Sequence, residues 1–113
     1  MREQYELTEI TPEKLIPKTK ERLSGNNRLV QICAVSVPGG YELTYSFAEG
    51  YKFINYRLNI TEDTEIESIS KMYPSASLYE NEMTELFGVK ITGIALDYKN
   101  KLYKIDTETP FKK

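Results

Sequence analysis

The sequence predicts an α+β fold: an antiparallel β-sheet meander with helices packed on one face, followed by an extended C-terminal arm. Three observations carry this reading. Tyr41–Ala48 alternates cleanly, with Tyr41, Leu43, Tyr45 and Phe47 on one face and Glu42, Thr44 and Ser46 on the other. Two tight turns, Pro38-Gly39-Gly40 and Glu49-Gly50, join that run to strand-like neighbours on either side. Helix signals flank the strands, with Thr11-Pro12-Glu13 before them and Gly88 after.

The elements follow in order. Gln4–Ile10 alternates weakly and fits a short edge strand. Thr11 suits a helix cap, Pro12 the first helical position, and Glu13 the positive end of the helix dipole. This helix is expected to reach Leu23, with Leu15, Ile16 and Leu23 on its apolar face. Pro17 argues for a delayed start, and Gly25 is the expected left-handed cap. Arg28–Val37, Tyr41–Ala48 and Tyr51–Ile60 form the meander, the last strand turning Ile54, Tyr56, Leu58 and Ile60 inward. Thr61 or Thr64 then caps a helix through Met72, with Ile66, Ile69 and Met72–Tyr73 as its stripe. Tyr73-Pro74-Ser75 breaks it. Ser77 caps a second helix, Leu78–Phe87, which Gly88 terminates, and Val89–Ile91 is a short extended exit. The boundary falls near residue 93. Residues 1–93 form the domain, and residues 94–113 form the arm, where Tyr98, Leu102, Tyr103, Ile105 and Phe111 are spaced among lysines.

The 113 residues suffice for one domain with a modest core. The net charge is −2 with both signs dispersed, which argues against a nucleic-acid partner. No stretch reaches the ~20 apolar residues of a membrane span. Met1-Arg2-Glu3-Gln4-Tyr5-Glu6 lacks the apolar core of a secretion signal, so a soluble, intracellular chain is expected. The chain has no histidine and one cysteine, which excludes Ser-His-Asp and Cys-His triads, the usual zinc sites and iron–sulfur ligation. Cys33, within Val30–Val35, is expected in a buried strand.

One segment stands out: Leu78-Tyr79-Glu80-Asn81-Glu82-Met83-Thr84-Glu85-Leu86-Phe87-Gly88. On a helix Leu78, Glu82 and Leu86 stack, which sets Glu82 inside an apolar stripe with Glu85 beside it. A carboxylate there must be paired, be bonded to backbone, or face a partner. It can serve acid/base chemistry or capture a partner's cation, or it can be a structural glutamate capping a neighbouring loop.

Pro74-Ser75, Glu80-x-Glu82, Glu85-Leu86-Phe87-Gly88-Val89 and Gly93 together resemble the signature of the 30-kilodalton subunit of respiratory complex I. A small soluble subunit of membrane-bound energy-converting nickel–iron (NiFe) hydrogenases belongs to the same family. The chain departs from the pattern at Asn81 (arginine in the family), Thr84 (aromatic), Glu85 (aspartate), Ile94-Ala95 (histidine-proline), and Lys99 and Lys101 (arginines). These departures shift the expectation toward the hydrogenase-type and ferredoxin-linked complexes. The resemblance implies a non-catalytic assembly subunit that binds no cofactor and no metal. It would pack on the large catalytic subunit related to the NiFe-hydrogenase large subunit, on the cytoplasmic side, and touch the membrane only through the complex. It marks Glu80, Glu82, Glu85, Leu86, Phe87 and Gly88 as partner-binding.

The sequence leaves three other readings open. An enzyme can be built on the carboxylates of Glu80, Glu82 and Glu85. A single-stranded nucleic-acid platform can be built on Tyr41, Tyr45, Phe47, Tyr51, Phe53 and Tyr56. The third is a generic interaction module outside energy metabolism.

Overall fold

The computed structural model describes residues 4–94. The expected arm lies outside the described residues except for Ile94. The chain forms β1 (Gln4–Glu9), a single 3-10 turn (Pro12–Lys14), α1 (Leu15–Ser24), β2 (Arg28–Val37), β3 (Gly40–Glu49), β4 (Lys52–Thr61), β5 (Glu65–Glu67), α2 (Ala76–Phe87) and β6 (Lys90–Thr92).

β2, β3 and β4 form the expected antiparallel meander, and β1 joins its far side parallel to β4, so the four-stranded sheet is mixed. The register puts Leu43 opposite Leu58, Tyr45 opposite Tyr56 and Phe47 opposite Ile54 on one face. That face is the core: Tyr41, Leu43, Tyr45, Phe47, Ile54, Tyr56, Leu58 and Ile60 are all buried, as the alternation predicts. Leu15 of α1 and Ala76 and Met83 of α2 belong to the same cluster, so both helices cover this one face. Phe47 is the hub of the aromatics, with ring centroids 5.8 Å from Tyr56 and 5.4 Å from Tyr73 in tilted contact. The rings proposed for nucleic-acid stacking are thus mostly core: Tyr41, Tyr45, Phe47 and Tyr56 offer no surface, and Tyr51 stands exposed in a turn.

The β2–β3 turn makes one demanding contact. A Cβ on Gly40 would lie 1.9 Å from the Ile60 carbonyl oxygen, so the close approach of β3 to β4 requires glycine.

Several sequence expectations are corrected. Thr61–Met72 is not a helix. Glu65–Glu67 is a strand pairing in parallel with Lys90–Thr92, with Ile66 opposite Ile91, and turns follow it. Ile66 and Ile69 are both buried, and a spacing of three fits a helical stripe as well as a strand followed by a turn. In α1 Leu15 and Thr19 are buried and Ile16 packs partly buried against the core, as expected of Leu15 and Ile16, while Leu23 is 43% exposed. The α-helix starts late, at Leu15 after the 3-10 turn, and Pro17 falls in its first turn, where amides need no intrahelical acceptor. The left-handed residue after α1 is Asn26 (φ 57°), whereas Gly25 has φ −86°.

Cys33 is exposed rather than buried. Apolar residues occur at both parities of β2, so alternation does not assign its faces. The register shifts between Leu29 and Gln31 and turns Gln31, Cys33 and Val35 outward. Ser77 is not the cap of α2. That helix begins at Ala76 with Ser75 at the cap position, and the Ser77 hydroxyl donates to the Pro74 carbonyl at 2.9 Å.

Candidate functional site

The helix bearing the signature is held to the domain along its whole length. At its start, the Ala76 amide donates to the Tyr73 carbonyl at 2.8 Å, and the Tyr73 hydroxyl donates to the Asn27 carbonyl at 2.7 Å. In the middle, the Tyr79 hydroxyl donates to the Val30 carbonyl at 3.1 Å, at the β2 bulge. At its end, the Tyr41 hydroxyl donates to the Phe87 carbonyl. Gly88 takes the left-handed conformation (φ 80°), and its amide donates to the Thr84 carbonyl at 3.1 Å.

The buried stripe is Ala76, Glu80 and Met83 with Phe87 partly buried, at positions i, i+4, i+7 and i+11. The carboxylate within this stripe is therefore Glu80, which is fully enclosed, and not Glu82. The Ser68 hydroxyl donates to Glu80 Oε1 at 2.6 Å and the Ile69 amide to Oε2 at 2.9 Å. Burial pushes the Glu80 carboxyl above its usual range, and these two hydrogen bonds pull it partly back. The Tyr45 hydroxyl is buried with no hydrogen-bond partner among the described residues, and burial and the nearby Glu80 push its pKa up.

The other expected site residues divide by depth. Glu85 is buried at 3% exposure, whereas Glu82, Leu86, Phe87 and Gly88 are half-buried. Leu78, which the signature does not include, is 49% exposed. The Leu78–Glu82–Leu86 stripe thus faces away from the core. Asn81, where the family pattern has arginine, is buried and donates from Nδ2 to the Ser77 carbonyl at 2.7 Å.

Two residues central to the arrangement, Ser68 and Ser70, are absent from the sequence expectation. Their spacing around Ile69 in a turn is a weak signal, and only the folded chain brings them to Glu80. The reading of the three glutamates as one reactive cluster loses its geometry. Both Glu80 oxygens are occupied by donors of the domain, and Glu82 lies on the outward side of the helix. Among the described residues no group of three or more histidine, cysteine, aspartate or glutamate side chains could hold a metal. No described helix is long and apolar enough to cross a membrane.

Comparison with known proteins decides the family. The family model described as "Respiratory-chain NADH dehydrogenase, 30 Kd subunit" matches residues 8–113. The chain belongs to this family. An NADH-quinone oxidoreductase subunit of Ruegeria pomeroyi is 32% identical over 93 residues, covering 73% of this chain and 46% of that protein. The corresponding NADH-quinone oxidoreductase subunit of Cereibacter sphaeroides is 31% identical over 70 residues, covering 58% of this chain and 35% of that protein. The chain therefore matches less than half the length of either relative. A chain in the structure of the membrane-bound sulfane sulfur reductase, described as an archaeal respiratory membrane complex, superposes with a TM-score of 0.82. It is 22% identical, and the match covers 96% of this chain and 68% of that one, which shows a common fold. The residues that carry the resemblance to this family from Glu80 to Phe87 thus lie on α2, which Gly88 caps, with Glu80 turned inward and Glu82 outward.

Proposed function

We propose that this chain is a non-catalytic docking subunit of a membrane-associated respiratory complex, of the NADH-quinone oxidoreductase or energy-converting hydrogenase type. It packs on the large subunit related to the NiFe-hydrogenase large subunit and sits peripherally, on the cytoplasmic side of the membrane. Membership in the 30-kilodalton family supports the assignment to such a complex. The names of the relatives point the same way.

The observation that carries the docking role is the state of α2. Hydrogen bonds to Tyr41, Tyr73, Val30, Ser68 and Ile69 fix it against the domain. Its opposite side still presents Leu78 half-exposed beside Glu82 and Leu86. A rigid helix with apolar side chains around one carboxylate suits a partner groove lined by apolar residues and a cation. Preorganisation lowers the entropy cost of docking on it.

The experiment is purification of the tagged chain from detergent-solubilised membranes, with co-purifying proteins identified by mass spectrometry. The NiFe-type large subunit is expected. Glu82→Leu should lower its recovery while the isolated domain keeps its melting temperature. Unfolding of the isolated Glu82→Leu domain would make Glu82 structural and remove its docking role.

A further inference from the structure

The short ribbon formed by β5 and β6 stands apart from the main sheet. Each strand has three residues, and isolated two-stranded pairings of that size are marginal in water. Its own supports are thin. The Lys90–Asp63 ion pair spans 3.5 Å with Asp63 96% exposed, and the Thr92 hydroxyl reaches the Ile66 carbonyl only at 3.5 Å. Ile66 is the ribbon's one deeply buried side chain.

Ser68 is the joint between this ribbon and α2. Its backbone amide donates to the Thr92 carbonyl at 2.9 Å, continuing the ladder beyond β5. Its hydroxyl donates to Glu80 at 2.6 Å and accepts from the Ser70 amide at 3.0 Å. The Ser70 hydroxyl lies 2.7 Å from the same oxygen. The next amide, Ile69, goes to the other Glu80 oxygen. One buried carboxyl group on the helix thus organises three consecutive residues, and the first of them holds β6.

We propose that Glu80 is a latch that locks the β5–β6 ribbon to α2, so that β5, β6 and the 68–70 segment open and close as a single unit. The network suits a latch because it remains satisfied in either protonation state of the carboxyl. As the anion, Glu80 accepts from both Ser68 and Ile69. As the acid, it donates through Oε1 to Ser68, which then donates to Ser70, while Oε2 still accepts from Ile69. The titratable neighbour near it on the sheet is Tyr45, whose hydroxyl makes no competing bond among the described residues. Opening therefore requires the three residues to leave together, since freeing any one strands a buried polar group. The latch stands independently of the docking proposal. If α2 is the docking helix, the latch ties its inner face to the ribbon from which the chain continues.

Native-state hydrogen exchange of the full chain, read by NMR, tests this. In the wild type, the protected amides of Ser68, Ile69 and the ribbon should share one opening free energy, lower than that of the protected amides in β3 and β4. In Glu80→Ala these ribbon amides should all exchange faster by one common factor of about tenfold or more, while Glu80→Gln keeps their protection. Ser68→Ala reads the same joint if Glu80→Ala does not fold. Loss of protection confined to Ile69, or ribbon amides that open only with β3 and β4, overturns the proposal.

Discussion

The Tyr41 hydroxyl of β3 donates to the carbonyl of Phe87, the last residue of α2. Tyr41 is 2% exposed and Phe87 is half-buried, so the bond lies at the margin of the core, where the helix ends on Gly88. Helix-end carbonyls lack intrahelical donors, and this one is satisfied by a residue 46 positions earlier in the chain. Tyr41→Phe should cost about 0.5–1.5 kcal/mol, the net value of one part-buried hydrogen bond. A lower urea midpoint at unchanged slope checks it.

Gly40 tests the close packing of β3 on β4. A Cβ there would meet the Ile60 carbonyl oxygen at 1.9 Å and the Thr61 Cα at 2.8 Å, both of them backbone atoms. Relief requires moving a central strand. Gly40→Ala should therefore destabilise the domain by about 3 kcal/mol or more, measured by thermal or urea unfolding. Gly39→Ala on the preceding residue meets no atom within 4 Å and carries only the strain of φ +83°. Its cost should be about 1–2 kcal/mol.

Tyr45 offers the opposite outcome. Its hydroxyl is buried and finds no hydrogen-bond partner among the described residues. Tyr45→Phe removes an uncompensated polar group and keeps the ring. Stability should be unchanged or rise by up to about 1 kcal/mol, in contrast to the loss expected for Tyr41→Phe on the same strand face.

Glu80 sets a pH dependence whose sign follows from its burial. Its folded pKa lies above the ordinary value of 4.5, so the native state binds more protons once the pH passes that value. The stability this group contributes is complete below pH 4.5 and is lost as the pH rises through its folded pKa. Glu80→Gln removes this dependence. The stability of wild type minus Glu80→Gln should fall as pH rises above 4.5 and then level off. Urea midpoints of both proteins across that range measure the difference, which cancels the other carboxylates.

These cases also show what is legible in the sequence. The Tyr41–Phe47 alternation and the glycines at both turns read correctly, because one face of β3 is wholly core and the turns demand glycine. Gly88 reads correctly for the same kind of reason, a positive φ. The 61–73 segment does not. Ile66 and Ile69 fit two periods, and the strand partner that decides between them, Lys90–Thr92, lies 25 residues downstream of Glu65 by the register. Cys33 is misread because a bulge shifts the parity of an edge strand. On α2 the stripes Leu78–Glu82–Leu86 and Ala76–Glu80–Met83–Phe87 compete. Leucine in the first outweighs alanine in the second on hydropathy alone. The donors that allow Glu80 to be buried come from Ser68 and Ile69 on another element, which local periodicity does not reveal.

The central claim is that α2 docks the domain on a large subunit through its outward stripe. Its most direct test is the affinity of the purified NiFe-type large subunit for wild type and for Leu86→Glu, by titration calorimetry. Leu86 is half-buried on the outward side, so the variant should remain folded by circular dichroism. Introducing a second carboxylate beside Glu82 in an apolar contact should weaken binding about tenfold or more. Equal affinity of a folded Leu86→Glu domain would contradict the account.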